Sequence, residues 1–188
     1  MTATISGDTG IDLIQDGAVA TADIANGAVT PAKLSQPLTL GTAQATTSGT
    51  SIDFTSIPSW VKRITVSVVG LSTNGVSFKQ LQLGTAGVPT TSGYLGNANQ
   101  NATGTLFTTG IGLASNAAAD VCHGCFVLVN VSGNTWIGTY VGGKSDAITG
   151  HFSAGSITLG GALNIIRLTT VNGTDAFDAG SVNILYEG

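Results

Sequence analysis

From Ser51 to Gly75 the apolar and polar positions follow the period of a half-buried β-strand. Ile64, Val66 and Val68 alternate with Arg63, Thr65 and Ser67, so successive side chains point to opposite faces, one buried and one wet. Pro58 lacks the N–H that a ladder needs and belongs to the bend leading into the strand; the neighbouring Trp60 is assigned to the core. Asn74-Gly75 at the far end reads as a tight hairpin turn, because both residue types tolerate positive φ. Residues 76–83 are then the predicted partner strand, with Phe78 on one face and a change of phase before Leu81 and Leu83.

Further on, short apolar runs are separated by Gly, Asn and Ser. Residues 85–103, rich in Gly, Thr and Asn and containing Tyr94 and Leu95, predict a long surface loop. Residues 106–113 predict a weaker strand, and residues 125–130 and 135–141 a hairpin around Ser132-Gly133-Asn134. Residues 157–159 give a short strand, and residues 163–171 and 181–186 close the chain. No stretch after residue 40 sustains a helical period over two turns. The expected fold is all-β, an antiparallel sandwich or jelly roll over residues 41–188.

Residues 1–40 have a different pattern. The run from Asp16 to Ile24 aligns with the run from Asn26 to Leu34 as a ten-residue repeat, and Ile14, Val19, Ile24, Val29 and Leu34 recur every five positions. That period belongs to neither helix nor strand. Gly-Ala-Val suits an extended piece, whereas Thr30-Pro31-Ala32-Lys33-Leu34 has an N-cap residue before a proline and predicts a short helical turn. One apolar residue in five cannot bury itself within one chain, so the units need neighbours, which several chains wound side by side would supply. Residues 1–40 are therefore expected to form an extended arm that packs between copies through those five apolar residues, with a disordered linker as the alternative.

Composition narrows the function. Only 9% of the 188 residues are charged, against about a quarter in ordinary soluble proteins. A surface of Thr, Ser, Asn and Gly suits a neutral ligand or contact with copies of itself. The net charge of −4 and pI near 4.7 supply no basic footprint for a phosphate backbone, which argues against nucleic acid as a partner. Mean hydropathy is positive, yet no apolar run approaches the roughly 18 residues of a membrane span, so no membrane insertion is expected. The first residues lack the basic start and apolar core of a secretory signal, which points to synthesis and folding in the cytoplasm. Two cysteines three apart make no disulfide framework.

Several segments carry a family resemblance. The run from Thr50 to Val66, the Leu71-Ser72-Thr73-Asn74-Gly75 turn and the closing run from Arg167 to Glu187 closely resemble bacteriophage and prophage tail-fibre proteins. The N-terminal run from Asn26 to Ser35 is similar to short repeats of phage fibre shafts and attachment regions. The resemblance implies a homotrimeric virion protein, with an N-terminal part docked on other virion proteins and a C-terminal β-domain facing the host. It assigns no individual receptor-binding residue, and Cys122 and Cys125 lie outside it. A capsid decoration or head-fibre protein and a polysaccharide-degrading tailspike tip are the alternatives.

Motifs for other chemistry are weak. The run from Gly138 to Ser145 formally matches a phosphate-binding P-loop, but it overlaps a predicted strand and no helix follows to hold the phosphates. Cys122-His123-Gly124-Cys125 has neither a second Cys pair to complete a zinc site nor the βαβ setting of a redox motif, so no metal and no cofactor is expected. No nucleophile elbow or Ser-His-Asp set is legible, and the scattered acidic residues define no glycosidase pair, so the chain reads as non-enzymatic.

Sugar recognition fits better. It needs an aromatic plane for the apolar face of a pyranose and amides or hydroxyls for its hydroxyl groups. Tyr94 with Asn97 and Asn99, and Trp136 or Tyr140 with Asn134, have that composition. They are the candidate sites for a host cell-surface polysaccharide, Tyr94 foremost because its surroundings read as loop.

Overall fold

A computed structural model describes residues 22, 24–30, 33–101, 103–118 and 120–188. The chain divides into two compact units, Met1–Pro37 and Leu38–Gly188. In the first, Ile14 and Val19 lie outside the described residues. Ile24, Val29 and Leu34 are exposed to about half their surface, and the Lys33 amide donates to the Thr30 carbonyl (2.9 Å) in a single turn.

The second unit is all-β. Its strands are β1 Thr39–Leu40, β2 Gln44–Ala45, β3 Ser51–Thr55, β4 Arg63–Thr73, β5 Lys79–Thr85, β6 Val88–Pro89 and β7 Leu95–Gln100, followed by β8 Thr103–Phe107, β9 Ile111–Leu113, β10 Cys122–Ser132, β11 Thr135–Lys144, β12 Gly150–Thr158, β13 Ile165–Thr170 and β14 Phe177–Glu187. They form two antiparallel sheets. The larger runs β1-β14-β4-β10-β11-β12-β7-β8, with β2 also on β14; the smaller runs β3-β13-β5-β6, with β9 also on β5.

The alternation in β4 is realised residue by residue. Ile64, Val66 and Val68 are at most 1% exposed, and they join Phe126 and Leu128 of the same sheet and Leu81, Leu83, Ile166 and Leu168 of the other in one apolar cluster. Each such side chain contributes about 1.5–3 kcal/mol by leaving water. Trp60 packs half-buried at the margin of this cluster, its ring 6.0 Å from that of Tyr186. The hairpin around Gly133 also forms, with β10 and β11 paired along their length and Gly133 at φ 52°.

Four expectations are corrected. Asn74-Gly75 is not a hairpin turn: β4 and β5 belong to different sheets, and Gly75 is not among the glycines with positive φ. The chain crosses over there because a second crossover, from β13 to β14, clamps it. The Ser77 amide donates to Asp175 Oδ2 (2.8 Å), the Ala176 amide to Asn74 Oδ1 (2.9 Å) and the Asn172 amide to Ser77 Oγ (3.0 Å). Residues 85–103 are not one loop but contain β6 and β7. Glycine lets β7 lie close to β12, since a Cβ at Gly96 would meet the Ala154 carbonyl at 2.6 Å. Residues 106–113 are two strands in different sheets, β8 and β9. Of the short strand expected at 157–159, Ile157 and Thr158 end the nine-residue β12 and Leu159 lies beyond it.

Candidate functional site

Tyr94 cannot present a plane to a ligand. It is 1% exposed, and its hydroxyl accepts from the Leu83 amide (2.7 Å) and donates to the Leu83 carbonyl (3.1 Å). The side chain is part of the core, where burial pushes its hydroxyl up to about 12. Asn97 and Asn99 do not join it. They lie on β7 positions that alternate with the fully buried Ala98, and Asn99 Nδ2 donates to Asn97 Oδ1 (3.3 Å).

Trp136 is 4% exposed and Tyr140 1%. Tyr140 donates to the His123 carbonyl (3.1 Å), its ring 4.6 Å from that of Phe126, and burial raises its pKa. Trp136 and Asn134 do line a cleft together with Lys62 and Asn130, but its volume is about 150 Å³, below the roughly 300 Å³ at which small-molecule sites begin.

Three further clefts approach or exceed that size, and the state of their polar groups distinguishes them. One of about 280 Å³ is lined by Gln80, Gln82, Thr109, Arg167 and Thr169. These groups are engaged: Gln82 donates to the Thr109 carbonyl (3.0 Å), the Thr109 hydroxyl to Gln80 Oε1 (2.8 Å), and Arg167 is bidentate on Asp53 at 2.7 Å twice. Another, of about 330 Å³ beside Tyr186, includes Asp53 and Gln44; Asp53 is held by Arg167, and Gln44 Nε2 donates to the Asp53 carbonyl (3.1 Å).

The remaining groove, of about 310 Å³, is lined by Phe78, Gln100, Asn101, Thr103, Thr105, Ala114 and Asn116. It carries no charged side chain. Phe78 stands edge-on to Phe107, with ring centroids 5.7 Å apart and 65° between planes, which fixes its orientation. Asn101 turns the chain between β7 and β8 at φ 53° and accepts from the Gly150 amide (3.3 Å). The Gln100, Thr103, Thr105 and Asn116 side chains hydrogen-bond no other described residue. A half-buried ring beside amides and hydroxyls open to a ligand is the arrangement a pyranose requires. The sequence contained a signal for it in the uncharged run Asn97-Ala98-Asn99-Gln100-Asn101, which a loop assignment hid.

A buried ionic cluster lies close by in sequence. Lys79, fully buried, donates to Ser115 Oγ (3.2 Å); Ser115 donates to Asp120 Oδ2 (2.7 Å); Lys144 Nζ contacts Asp120 Oδ1 at 2.5 Å. Burial pushes the Asp120 carboxyl up, but hydrogen bonds from Lys144, Ser115 and the Ala117 amide outweigh it and leave the group below its ordinary value. Burial lowers Lys79 and raises Cys122, whose thiol donates to Ser115 Oγ (3.1 Å). The P-loop-like lysine, Lys144, thus ends a strand and holds a carboxylate. Both cysteines are free, and the described residues contain no group of three metal-donor side chains. Nor is any helix among them long and apolar enough to cross a membrane.

The fold and groove define a two-sheet β-domain with an uncharged cleft beside a half-buried phenyl ring. Comparison with protein-family models, curated proteins and solved structures finds no match.

Proposed function

We propose that this chain is a homotrimeric bacteriophage tail-fibre protein, non-enzymatic, attached to the virion through residues 1–40. Its C-terminal β-sandwich takes a neutral sugar of a host-surface polysaccharide in the Phe78 groove. The observation that carries the binding function is the chemistry of that groove: one oriented phenyl ring, no charge, and the Gln100, Thr103, Thr105 and Asn116 side chains without a hydrogen-bond partner among the described residues. The apolar face of a pyranose stacks on Phe78, and its hydroxyls pair with Gln100, Asn101 and Asn116. The resemblance of the segments around β4 and β14 to tail fibres supports the virion assignment. Those segments are neighbours, since β4 pairs with β14 and the loops that follow β4 and β13 are hydrogen-bonded together.

The test is binding of the full-length protein to an array of neutral and acidic bacterial surface polysaccharides, with Gln100→Ala and Phe78→Ala beside wild type. Selective binding of a neutral glycan, weakened at least tenfold in both variants with the far-ultraviolet spectrum unchanged, is expected. Equal binding by all three proteins would overturn the groove assignment. Antibody labelling of virions at the head rather than the tail would replace the tail fibre with a decoration protein, and release of reducing sugar would make it a depolymerase.

A further inference from the structure

We infer that the outward face of the larger sheet is a docking surface for a second copy of this chain. The inference rests on the homo-oligomeric part of the function proposed above and locates its contact. On that face large apolar side chains stand directly opposite one another across strands: Val129 faces Ile137, and Val141 faces Phe152. Val141 is 65% and Phe152 54% exposed, and Leu95 and Leu106 at the β7–β8 edge are more exposed still. Contiguous apolar surface of this kind marks an interaction site.

Three features select a copy of the chain as the occupant. The first is charge: among the outward residues of β4, β10, β11, β12, β7 and β8 the only charged side chain is Arg63, already paired with Glu187 of β14 at 3.3 Å. A partner must therefore be neutral, and this chain is 9% charged. The second is the polar chemistry: the polar groups among the apolar ones are amides and hydroxyls, Asn97, Asn99 and Thr139, which both donate and accept and so suit the equally uncharged, amide- and hydroxyl-rich surface of another copy. The third is area. Six strands about 4.8 Å apart, each offering roughly six residues at about 3.4 Å rise, give about 600 Å² of projected surface, close to the roughly 800 Å² per partner of a stable interface. None of the four clefts described above opens among these residues, so the face suits a flat protein surface rather than a small ligand.

The chain carries its own reporter. Cys125 lies on this face, in register between Ser67 and Val141, whereas Cys122 is buried. The experiment measures the mass of the full-length protein by light scattering and the alkylation rate of Cys125 by mass spectrometry, for wild type, Val141→Asp and Phe152→Asp. Val141→Thr and Phe152→Thr, which keep strand propensity, stand in should the aspartates misfold. A wild-type mass at a multiple of 18.7 kDa with Cys125 alkylated at least tenfold more slowly than in the variants, and variants of lower mass, is the expected result. Monomeric wild type would overturn the inference together with the homotrimer. Multimeric wild type whose mass and Cys125 rate match those of the variants would overturn this face alone and leave the oligomer to the arm.

Discussion

The Tyr94 hydroxyl satisfies both backbone groups of Leu83, accepting from its amide at 2.7 Å and donating to its carbonyl at 3.1 Å. Leu83 stands on β5 between the stretch paired with β9, which ends at Leu81, and the stretch paired with β6, which begins at Gly84. The phenol takes the Leu83 amide in the gap that two short strands leave in the ladder and shares the Leu83 carbonyl with the Thr90 amide (2.8 Å).

Tyr94→Phe keeps the ring but leaves the Leu83 amide buried without that partner. Such a loss costs about 1–3 kcal/mol, and urea denaturation should read it as a lowered midpoint with the proposed glycan binding in the Phe78 groove unchanged. A raised folded-state pKa means stability is complete below the unfolded tyrosine value, about 10, and declines as pH climbs to about 12. The contribution of Tyr94 to that decline should vanish in Tyr94→Phe; an identical alkaline profile in the two proteins would refute it.

His151 predicts acid sensitivity. It is 2% exposed, and neither ring nitrogen finds a partner among the described residues, nor does the neighbouring Ser153 hydroxyl. Burial holds its pKa below the ordinary histidine value. Lys144 on β11 and Lys79 on β5 push the same way, and Asp120 opposes them. The unfolded chain then binds the extra proton, so stability present above about pH 6.5 falls as pH drops toward the folded-state value. His151→Leu should flatten this slope between pH 7.5 and 5.5 in chemical denaturation. A slope equal to that of wild type would show that other groups carry it.

Gly70 and Gly180 form a third test. They sit on β4 and β14 where the register shifts, with φ of 67° and 98°, and a Cβ on Gly180 would meet the Gly70 carbonyl carbon at 2.5 Å. Backbone cannot yield as a side chain tip can, so Gly180→Ala should destabilise by about 1–3 kcal/mol. Gly173→Ala shares the positive φ, at 69°, but has no atom within 4 Å of its added Cβ, and it should cost less. Thermal melts of the two variants make the comparison; equal losses would assign the whole effect to φ.

The legible parts of the fold were those decided locally. Alternation at Ile64, Val66 and Val68 and the Gly133 turn need only neighbours in sequence, and both form as expected. Asn74-Gly75 has hairpin composition, yet Asp175, about a hundred residues away, holds the segment in a crossover. The candidate site failed for the same reason. Tyr94 lies in a stretch of loop-like composition, and only the ladder gap at Leu83 draws it inward. Phe78 read as one more strand residue because its partners in the groove come from β7, β8 and the segment after β9.

By itself, the sequence determined the all-β class, the strands with clean period-two patterns, and a neutral chemistry, because these follow from side-chain type and spacing along one segment. The tertiary structure alone decided which strands share a sheet, which aromatics are core, and where amides and hydroxyls gather around a half-buried ring. Those depend on contacts between segments far apart in the chain, where hydrogen-bond closure at Leu83 or Asp175 overrides what the local composition favours.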